Sequence, residues 1–319
     1  MPREPVEDGE LFIAEVCWRY FVNGQTQAEI AVAMDVTRLR VNQAIQKAKA
    51  IGMVNIQIET PFVTRIELQH RLEETLGVQR ALVVPADRAN YDYHAPIGAA
   101  LASHLTSLLK SETWTKIGVS WGMALTETIA RLPRQSNPNL EVLAFMGGAT
   151  AGSSFNAFSI ASGFAEKLGA AYSHLAAPIY LPSGVDRDMF LQQDVYKAHM
   201  DNCLAADAVL LVAGDVSDLS YMIKYGIPKD ISPESLREAG AVGDVLGRFL
   251  DADGNELDHP LNRRTAGVDL NHVREVPHKI MTAAGRHKIR VIHAAIRRGL
   301  VDTLITDDLT AELLLDQTS

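Results

Sequence analysis

Three loops that follow apolar runs carry the small and polar residues that a ligand site requires. After KIGV, LEVLAFM and DAVLLV come Ser120-Trp121-Gly122, Gly147-Gly148-Ala149-Thr150 and Ala213-Gly214-Asp215. Small residues let the backbone approach a ligand closely, and unpaired amides at the start of a helix favour hydroxyl or anionic groups. The loops predict a site for a small polar molecule, although tight strand-to-helix turns need glycine for steric reasons alone.

Well-known catalytic and metal-binding motifs do not occur in the sequence. There is no GxSxG elbow, no P-loop, and no GxGxxG where a strand leads into a helix. The ten histidines show no HExxH spacing, and Asp251-Ala252-Asp253-Gly254 places its glycine too early for an EF-hand. We therefore expect neither a metal nor a cofactor.

A second group of residues with recognisable chemistry lies between Val36 and Ile58. This segment is basic and contains no acid, although the whole chain has a formal net charge of -9. A basic, amide-rich helix face suits phosphates and major-groove base edges, since Arg pairs with guanine and Asn or Gln with adenine. The alternative is an ordinary solvated helix face. The residues predicted to contact DNA are Thr37, Arg38, Arg40, Asn42, Gln43 and Lys47.

The element that would position these side chains is a helix-turn-helix over Thr26 to Gly52. Thr26 and Glu29 have the spacing of a capping box, which begins the first helix. Asp35 tolerates the left-handed conformation of a tight turn, and Thr37 can cap the second helix. Val41, Ile45 and Ala48 would then point inward.

With its flanking segments, this unit has the order of elements of a winged helix: helix, helix, recognition helix and strand. Leu11 to Val22 predicts an apolar helix, and MVNIQIET alternates like a half-buried strand. Pro61 opens another amphipathic helix, which ends at Gly77. We interpret this helix as a connecting and dimerising element, with docking on its own C-terminal domain as the alternative.

From Arg80 onward, short apolar runs alternate with helical stretches such as Met189 to Ala206. The runs are ALVVPA, KIGVS, LEVLAFM, AAPIYL, DAVLLVA, HKIMTAA and VDTLIT. This alternation predicts a mostly parallel sheet with helices on both faces, and such α/β folds bind ligands at the carboxyl ends of the strands. The three loops should therefore lie near one another.

Length and composition limit the classes of protein that are possible. The chain has 319 residues, 47% hydrophobic and 22% charged, which suits a protein of two domains. The acidic balance argues against unspecific coating of nucleic acid, so DNA contact requires a local patch. No run approaches the roughly 20 apolar residues of a membrane span. Cys17 and Cys203 have no paired spacing, so we expect buried thiols in a reducing cytoplasm.

The segment from Thr26 to Ile58 resembles the DNA-binding headpiece of the SorC family of bacterial transcriptional regulators. The resemblance continues through GVSWGMAL, MGGATAGSS, DAVLLVAGDVSD, GAVGDVLGRFLDADG and GLVDTLITDDLTAELLL, and so covers nearly the whole chain. It implies three parts: a winged-helix-like helix-turn-helix domain (1–60), a linker or dimerisation helix (61–78) and an effector-binding domain (79–319). The last would be Rossmann-like and similar to phosphosugar isomerases and deaminases.

The resemblance also implies a function and a set of effector contacts. The protein would be a cytoplasmic repressor of a carbohydrate or polyol catabolic operon, with operator DNA and a sugar, polyol or sugar phosphate as partners, and no membrane. It would form a homo-oligomer, either a dimer or a homotetramer. The residues implied at the effector pocket are Ser120, Trp121, Gly147, Gly148, Ala149, Thr150, Asp215, Asp244, Arg248 and Lys288.

Two positions depart from the family pattern, and one rival function is open. Asp35 stands where the family usually has Gly, and Ala284 to His287 replaces a Gly-Gly with acidic neighbours. The rival is a phosphosugar isomerase or deaminase with an accessory headpiece, which needs a positioned general base. The loop after DAVLLVAG lacks the histidine of related deaminases, although Asp215 could serve as a base. We therefore expect a regulator rather than an enzyme.

Overall fold

The chain consists of two compact units, Met1–Val63 and Thr64–Ser319. The computed structural model describes residues 7–54, 63–86, 92–149 and 156–317. The first unit contains helices α1 (Glu7–Cys17), α2 (Gln27–Ala33) and α3 (Arg38–Ala50), and α1 continues into a π-helical segment, Trp18–Val22. These helices bury Ile13, Val16, Ile30, Val41 and Ile45 against one another.

The local signals that begin and end these helices are confirmed. The Thr26 hydroxyl accepts a hydrogen bond from the Glu29 amide at 3.3 Å, and the Glu29 carboxylate accepts one from the Thr26 amide at 2.8 Å. Asp35 has a φ of 51°, as expected of the turn. Thr37 caps α3 by accepting from the amide of Arg40 at 3.2 Å. The predicted strand after Met53 lies largely outside the described residues.

The second unit alternates helices and strands. Its strands are β1 (Arg80–Val84), β2 (Lys116–Val119), β3 (Glu141–Ala144), β4 (Ala171–Ser173), β5 (Ala208–Leu211), β6 (Gly243–Val245), β7 (Arg248–Leu250), β8 (His278–Thr282) and β9 (Thr303–Asp307). Its helices are α4 (Val63–Leu76), α5 (His94–Ser111), α6 (Met123–Arg131), α7 (Ala157–Leu168), α8 (Arg187–Leu191), α9 (Asp194–Cys203), α10 (Pro233–Glu238), α11 (Pro260–Arg263), α12 (Leu270–Glu275), α13 (Ile289–Arg297) and α14 (Asp308–Asp316).

Seven of these strands form one parallel sheet in the order β1-β9-β8-β5-β2-β3-β4, which confirms the predicted mostly parallel α/β architecture. With this strand order, the right-handedness of parallel crossovers implies that α5, α6 and α7 lie on one face and α13 on the other. The direction of strand addition reverses between β2 and β5, and such a reversal opens a crevice at the carboxyl ends of the strands. The remaining pair, β6 and β7, forms an antiparallel hairpin.

Two sequence predictions about elements of the second unit are wrong. The run AAPIYL is not a strand of the sheet; the edge strand β4 lies earlier, at Ala171–Ser173. The run contains Pro178, which has no amide to donate to a neighbouring strand. The run instead packs beyond β3, where the Ile179 amide donates to the Gly148 carbonyl at 3.0 Å. The helix predicted from Met189 to Ala206 is two helices, α8 and α9, since Gln193 has an extended backbone.

Helix α4 docks on the edge of its own sheet. Leu68 and Leu72 are buried in the core of the second unit. The Gln69 side chain accepts a hydrogen bond from the amide of Val83 at 3.0 Å, and the Glu73 carboxylate accepts one from Ala81 at 2.9 Å. The helix thus satisfies amides of edge strand β1 that would otherwise be open to another chain. The dimerising role of this helix stays a prediction.

Candidate functional site

A cavity of about 350 Å³ lies at the carboxyl ends of the adjacent strands β8, β5 and β2. Its wall combines the loops after these strands with the start of α5, the β6–β7 hairpin and the segment that follows Asp215. The polar side chains in the wall are those of Tyr93, His94, Ser120, Asp215, Ser217, Ser220, Tyr221, Asp244, His287 and Lys288. This volume is at the lower end of the roughly 300–1,000 Å³ typical of small-molecule sites.

Five of the ten residues implied as effector contacts line this cavity: Ser120, Trp121, Asp215, Asp244 and Lys288. The structure brings them together from four separate parts of the second unit. The Ser120 hydroxyl accepts a hydrogen bond from the amide of Val212 at 3.2 Å, which leaves its own proton for another acceptor.

The glycine-rich loop after β3 does not reach the cavity with its described residues. Added Cβ atoms at Gly147 and Gly148 would collide with the backbone of Pro178 and the ring of Phe158. These two glycines are therefore required by packing, and their predicted contact with an effector stays a prediction. Ala149 is likewise absent from the wall of the cavity, and Thr150 lies outside the described residues.

Arg248 also lies away from the cavity. Its guanidinium is buried and forms ion pairs with Glu256, at 3.2 Å, and with Asp269. Burial lowers the pKa of Arg248, and the two carboxylates oppose that change. Both ion pairs hold Arg248 within the protein, and its predicted place at the rim of the effector pocket stays a prediction.

Asp244 is the most unusual side chain of the cavity wall. It is 4% exposed, its Oδ2 atom accepts from the amide of Gly247 at 3.1 Å, and its Oδ1 atom has no hydrogen-bond partner among the described residues. Burial raises the pKa of Asp244 to about 7, and the charge of Asp215 acts in the same direction. This oxygen is enclosed against Gly214, so it is an acceptor that the described part of the chain leaves unsatisfied.

The turn after Asp244 contains a strained residue. Leu246 has a φ of 54° and Gly247 a φ of 76°, as a two-residue hairpin between β6 and β7 requires. A left-handed conformation is unfavourable for leucine, and such strain tends to occur where side chains are positioned for function. Leu246 is buried and forms part of the cavity wall.

Lys288 enters the cavity from a 3-10 turn, Arg286–Lys288, that follows β8. Gly285 starts this turn with a φ of 112°, and its carbonyl accepts from the Lys288 amide at 2.9 Å. The Lys288 ammonium lies 5.6 Å from the centre of the Tyr93 ring. Burial lowers the pKa of Lys288, whereas Asp215 and Asp244 favour its charged form.

Four aromatic residues of the wall were not found from the sequence: Tyr93, His94, Tyr221 and His287. The Tyr93 hydroxyl lies 3.1 Å from Nε2 of His287, and the ring of His94 lies beside that of Tyr93. Burial lowers the pKa of His94 to about 4, and Lys288 acts in the same direction. His287 could have been noticed beside Lys288, but Tyr93 and His94 stand at the start of α5 and carry no motif.

The predicted DNA-contacting residues lie on the outer side of α3. Thr37, Arg38, Arg40, Gln43 and Lys47 are exposed, and Asn42 is half-buried. The opposite side buries Val41, Ala44, Ile45 and Ala48. Arg40 is stacked over the Phe12 ring, 4.9 Å from its centre. The outer side also presents Leu39, which is 66% exposed, and Gln46.

Other predicted features concern metals, thiols and membranes. Within residues 7–54, 63–86, 92–149 and 156–317, no group of three or more His, Cys, Asp or Glu could hold a metal ion. Cys17 and Cys203 are free and buried, as predicted. In the same part of the chain, no helix combines the length and apolar character needed to cross a membrane.

The fold and its cavity define a sugar-binding domain. Residues 60–316 match the family described as "Putative sugar-binding domain", and the chain belongs to that family.

The relatives of the chain are named as transcriptional regulators rather than enzymes. The regulator LsrR of Escherichia coli is 28% identical over 309 residues, which cover 95% of this chain and 94% of LsrR. The erythritol catabolism regulatory protein EryD of Brucella abortus is 25% identical, over 94% of this chain and 95% of EryD. These similarities confirm the resemblance to SorC-type regulators.

Among solved structures, the full-length sorbitol operon regulator SorC of Klebsiella pneumoniae has the same fold. It superimposes with a TM-score of 0.73 at 23% identity, over 97% of this chain and 99% of SorC. A DeoR-family regulator from Listeria monocytogenes covers 78% of this chain, with a TM-score of 0.70 at 21% identity.

Proposed function

We propose that this protein is a DNA-binding transcriptional regulator, controlled by a sugar, polyol or sugar phosphate that binds in the cavity of its second unit. The observation that carries the proposal is the presence, in one chain, of this polar cavity in a sugar-binding domain and of a capped helix pair with a basic outer side. The names of EryD and SorC, which refer to erythritol and sorbitol, suggest a carbohydrate or polyol operon.

In this proposal, α3 enters the major groove of operator DNA. Arg38, Arg40, Asn42 and Gln43 would contact base edges, while Thr37 and Lys47 would contact the backbone. The protein would act in the cytoplasm as a repressor and as a homo-oligomer, a dimer or a tetramer. Symmetric oligomers present their recognition helices to half-sites that are spaced by whole helical turns.

Control by the ligand requires that both sites influence each other. A ligand that weakens operator binding must itself bind more weakly to the operator complex, by the same factor. Ser120, Asp215, Asp244 and Lys288 would form the polar contacts of the ligand. The wall segment that contains Leu246 is a tight turn with a left-handed leucine, so the ligand would contact a part of the hairpin whose backbone is fixed.

Fluorescence anisotropy with DNA from the region upstream of its own gene tests the DNA-binding part. We expect specific binding, which Arg40→Ala weakens by about 1–3 kcal/mol if Arg40 makes a bidentate base contact. Arg134→Ala is the matched control, because Arg134 is an exposed arginine of the second unit. Equal weakening by both variants, or no sequence-specific binding by the unmodified protein, would overturn the proposal.

A further inference from the structure

The charges of the cavity wall nearly cancel before any ligand binds. Among the described residues, Lys288 is the single Lys or Arg in the wall, and it faces the two acids Asp215 and Asp244. The Asp215 carboxylate is fixed by accepting from the amide of Ser217 at 2.9 Å, so it stays beside the cavity. The positive charge of Lys288 is therefore already matched by carboxyl groups of the protein.

The two histidines of the wall do not add positive charge at neutral pH. Burial lowers the pKa of His94 to about 4, and Lys288 acts in the same direction. Burial also lowers the pKa of His287, an effect that Asp215 opposes and Lys288 reinforces. Neither imidazole is then a cation that could neutralise an incoming anion. They can still donate or accept hydrogen bonds with a neutral ligand.

Among the described residues of the wall, the start of α6 is the other source of positive potential. Gly122, Met123 and Ala124 line the cavity there, and Gly122 has a φ of 136° with no side-chain cap. A helix N-terminus supplies roughly half of an elementary charge. Together with Lys288 this roughly offsets Asp215 and a partly ionised Asp244, and leaves no surplus for a phosphate monoester of about two negative charges.

We infer that the cavity takes an uncharged polyhydroxy compound, a free polyol or sugar, and disfavours the phosphate ester of the same compound. The inference rests on the proposed function and narrows its ligand class. Hydroxyl groups match the wall, because Ser120 has a proton to donate and the Asp215 carboxylate can accept further hydrogen bonds beside the one from Ser217. Apolar carbon atoms of the ligand would contact Trp121, Met222 and Leu246.

Calorimetric titration with matched pairs tests the inference directly. The pairs are erythritol and erythritol 4-phosphate, ribitol and ribitol 5-phosphate, and sorbitol and sorbitol 6-phosphate. We expect at least one neutral member to bind about tenfold or more tightly than its phosphate, a difference of about 1.4 kcal/mol. Tighter binding of the phosphates would overturn the inference and leave the proposed function intact. If neither class binds, both the inference and the proposed sensing function fail.

A variant with altered charge shows whether the phosphate ester is excluded from the cavity by charge or by lack of space. Asp215→Asn removes one negative charge and keeps an oxygen that can accept from Ser217. We expect it to reduce the preference for the neutral member at least several-fold by strengthening phosphate binding. Asp218→Asn, an exposed site three residues away that does not line the cavity, should leave the preference unchanged. An unchanged preference in Asp215→Asn would contradict exclusion by charge.

Discussion

Asp244 and Gly214 are joined by two backbone hydrogen bonds, and the Asp244 carboxyl group occupies the space where a Cβ atom of residue 214 would stand. The Gly214 amide donates to the Asp244 carbonyl at 3.0 Å, and the Asp244 amide donates to the Gly214 carbonyl at 2.8 Å. A Cβ at position 214 would collide with Oδ1 of Asp244. The loop after β5 and the β6–β7 hairpin are thus fixed against each other at the cavity.

Gly214→Ala should therefore displace the Asp244 side chain and damage the cavity. We expect a loss of about 1–3 kcal/mol in the free energy of unfolding, as for other overpacked sites, together with weaker ligand binding. Urea denaturation and calorimetry measure the two effects. Gly9→Ala is the control, since an added Cβ at Gly9 meets no atom within 4 Å. Equal stability of the two variants would contradict this description of the contact.

The pKa of Asp244 predicts how stability depends on pH. Because the pKa is raised to about 7 in the folded protein, the folded state holds a proton that the unfolded state releases near its ordinary value of 3.8. Stability contributed by this group is thus greatest at low pH and falls as pH rises from about 4 to 7, by at most about 4 kcal/mol.

Asp244→Asn removes the pH dependence of stability that comes from this carboxyl group. The neighbouring charged groups, Asp215 and Lys288, remain. As pH rises from 5 to 8, the unmodified protein should lose free energy of unfolding that the variant keeps. The difference between the two proteins should therefore shift in favour of the variant. Chemical denaturation of both proteins at the two pH values gives the difference. Parallel pH profiles would show that Asp244 titrates at its ordinary pKa.

The exposed Leu39 side chain predicts an apolar contact in the DNA groove. At 66% exposure it contributes little to the core of the first unit, so Leu39→Ala should leave the thermal unfolding of that unit nearly unchanged. Operator affinity should fall by about 1 kcal/mol through loss of contact with a thymine methyl group. Replacing thymine by deoxyuridine at the contacted position should have the same effect on the unmodified protein and no further effect on the variant.

Leu11→Ala is the control for this experiment, because Leu11 is similarly exposed on α1. It should change neither the operator affinity nor the sensitivity to deoxyuridine. A variant of Leu39 that remains fully sensitive to deoxyuridine would place the methyl contact elsewhere on the protein.

The hydrogen bond between Glu73 of α4 and the edge strand β1 should contribute measurably to stability. Glu73→Ala leaves the Ala81 amide of edge strand β1 without its side-chain acceptor and should cost about 0.5–1.5 kcal/mol of stability. Glu73→Gln keeps an acceptor oxygen and should recover most of that loss. Denaturation midpoints compare the two variants; a glutamine variant as unstable as the alanine variant would argue against the hydrogen bond as the cause.

The sequence was most informative where a local interaction decides the structure. The capping box of Thr26 and Glu29 and the left-handed turn at Asp35 depend on neighbouring residues, so they could be predicted from spacing alone. The parallel sheet followed from the alternation of apolar runs with helices. Asp215 was placed correctly in the cavity wall because its loop follows a buried strand, whose carboxyl end faces the ligand crevice.

The sequence was least informative where distant segments meet. The loop of Gly147 and Gly148 has the composition of a ligand cradle, but added Cβ atoms there would collide with the ring of Phe158 on α7 and with the backbone of Pro178 beyond β4. Tyr93 and His94 reach the cavity only because α5 begins beside it. Arg248 was assigned by resemblance, and its ion pairs with Glu256 and Asp269 depend on how the hairpin packs.

The most direct test of regulation is to measure both affinities of one protein preparation. Operator affinity is measured with and without a saturating polyol that the calorimetric panel identifies, and polyol affinity is measured with and without operator. We predict that each ligand changes the affinity of the other by the same factor, of about 5-fold to 150-fold. Operator affinity that stays unchanged under saturating polyol would contradict the proposal that the cavity controls DNA binding.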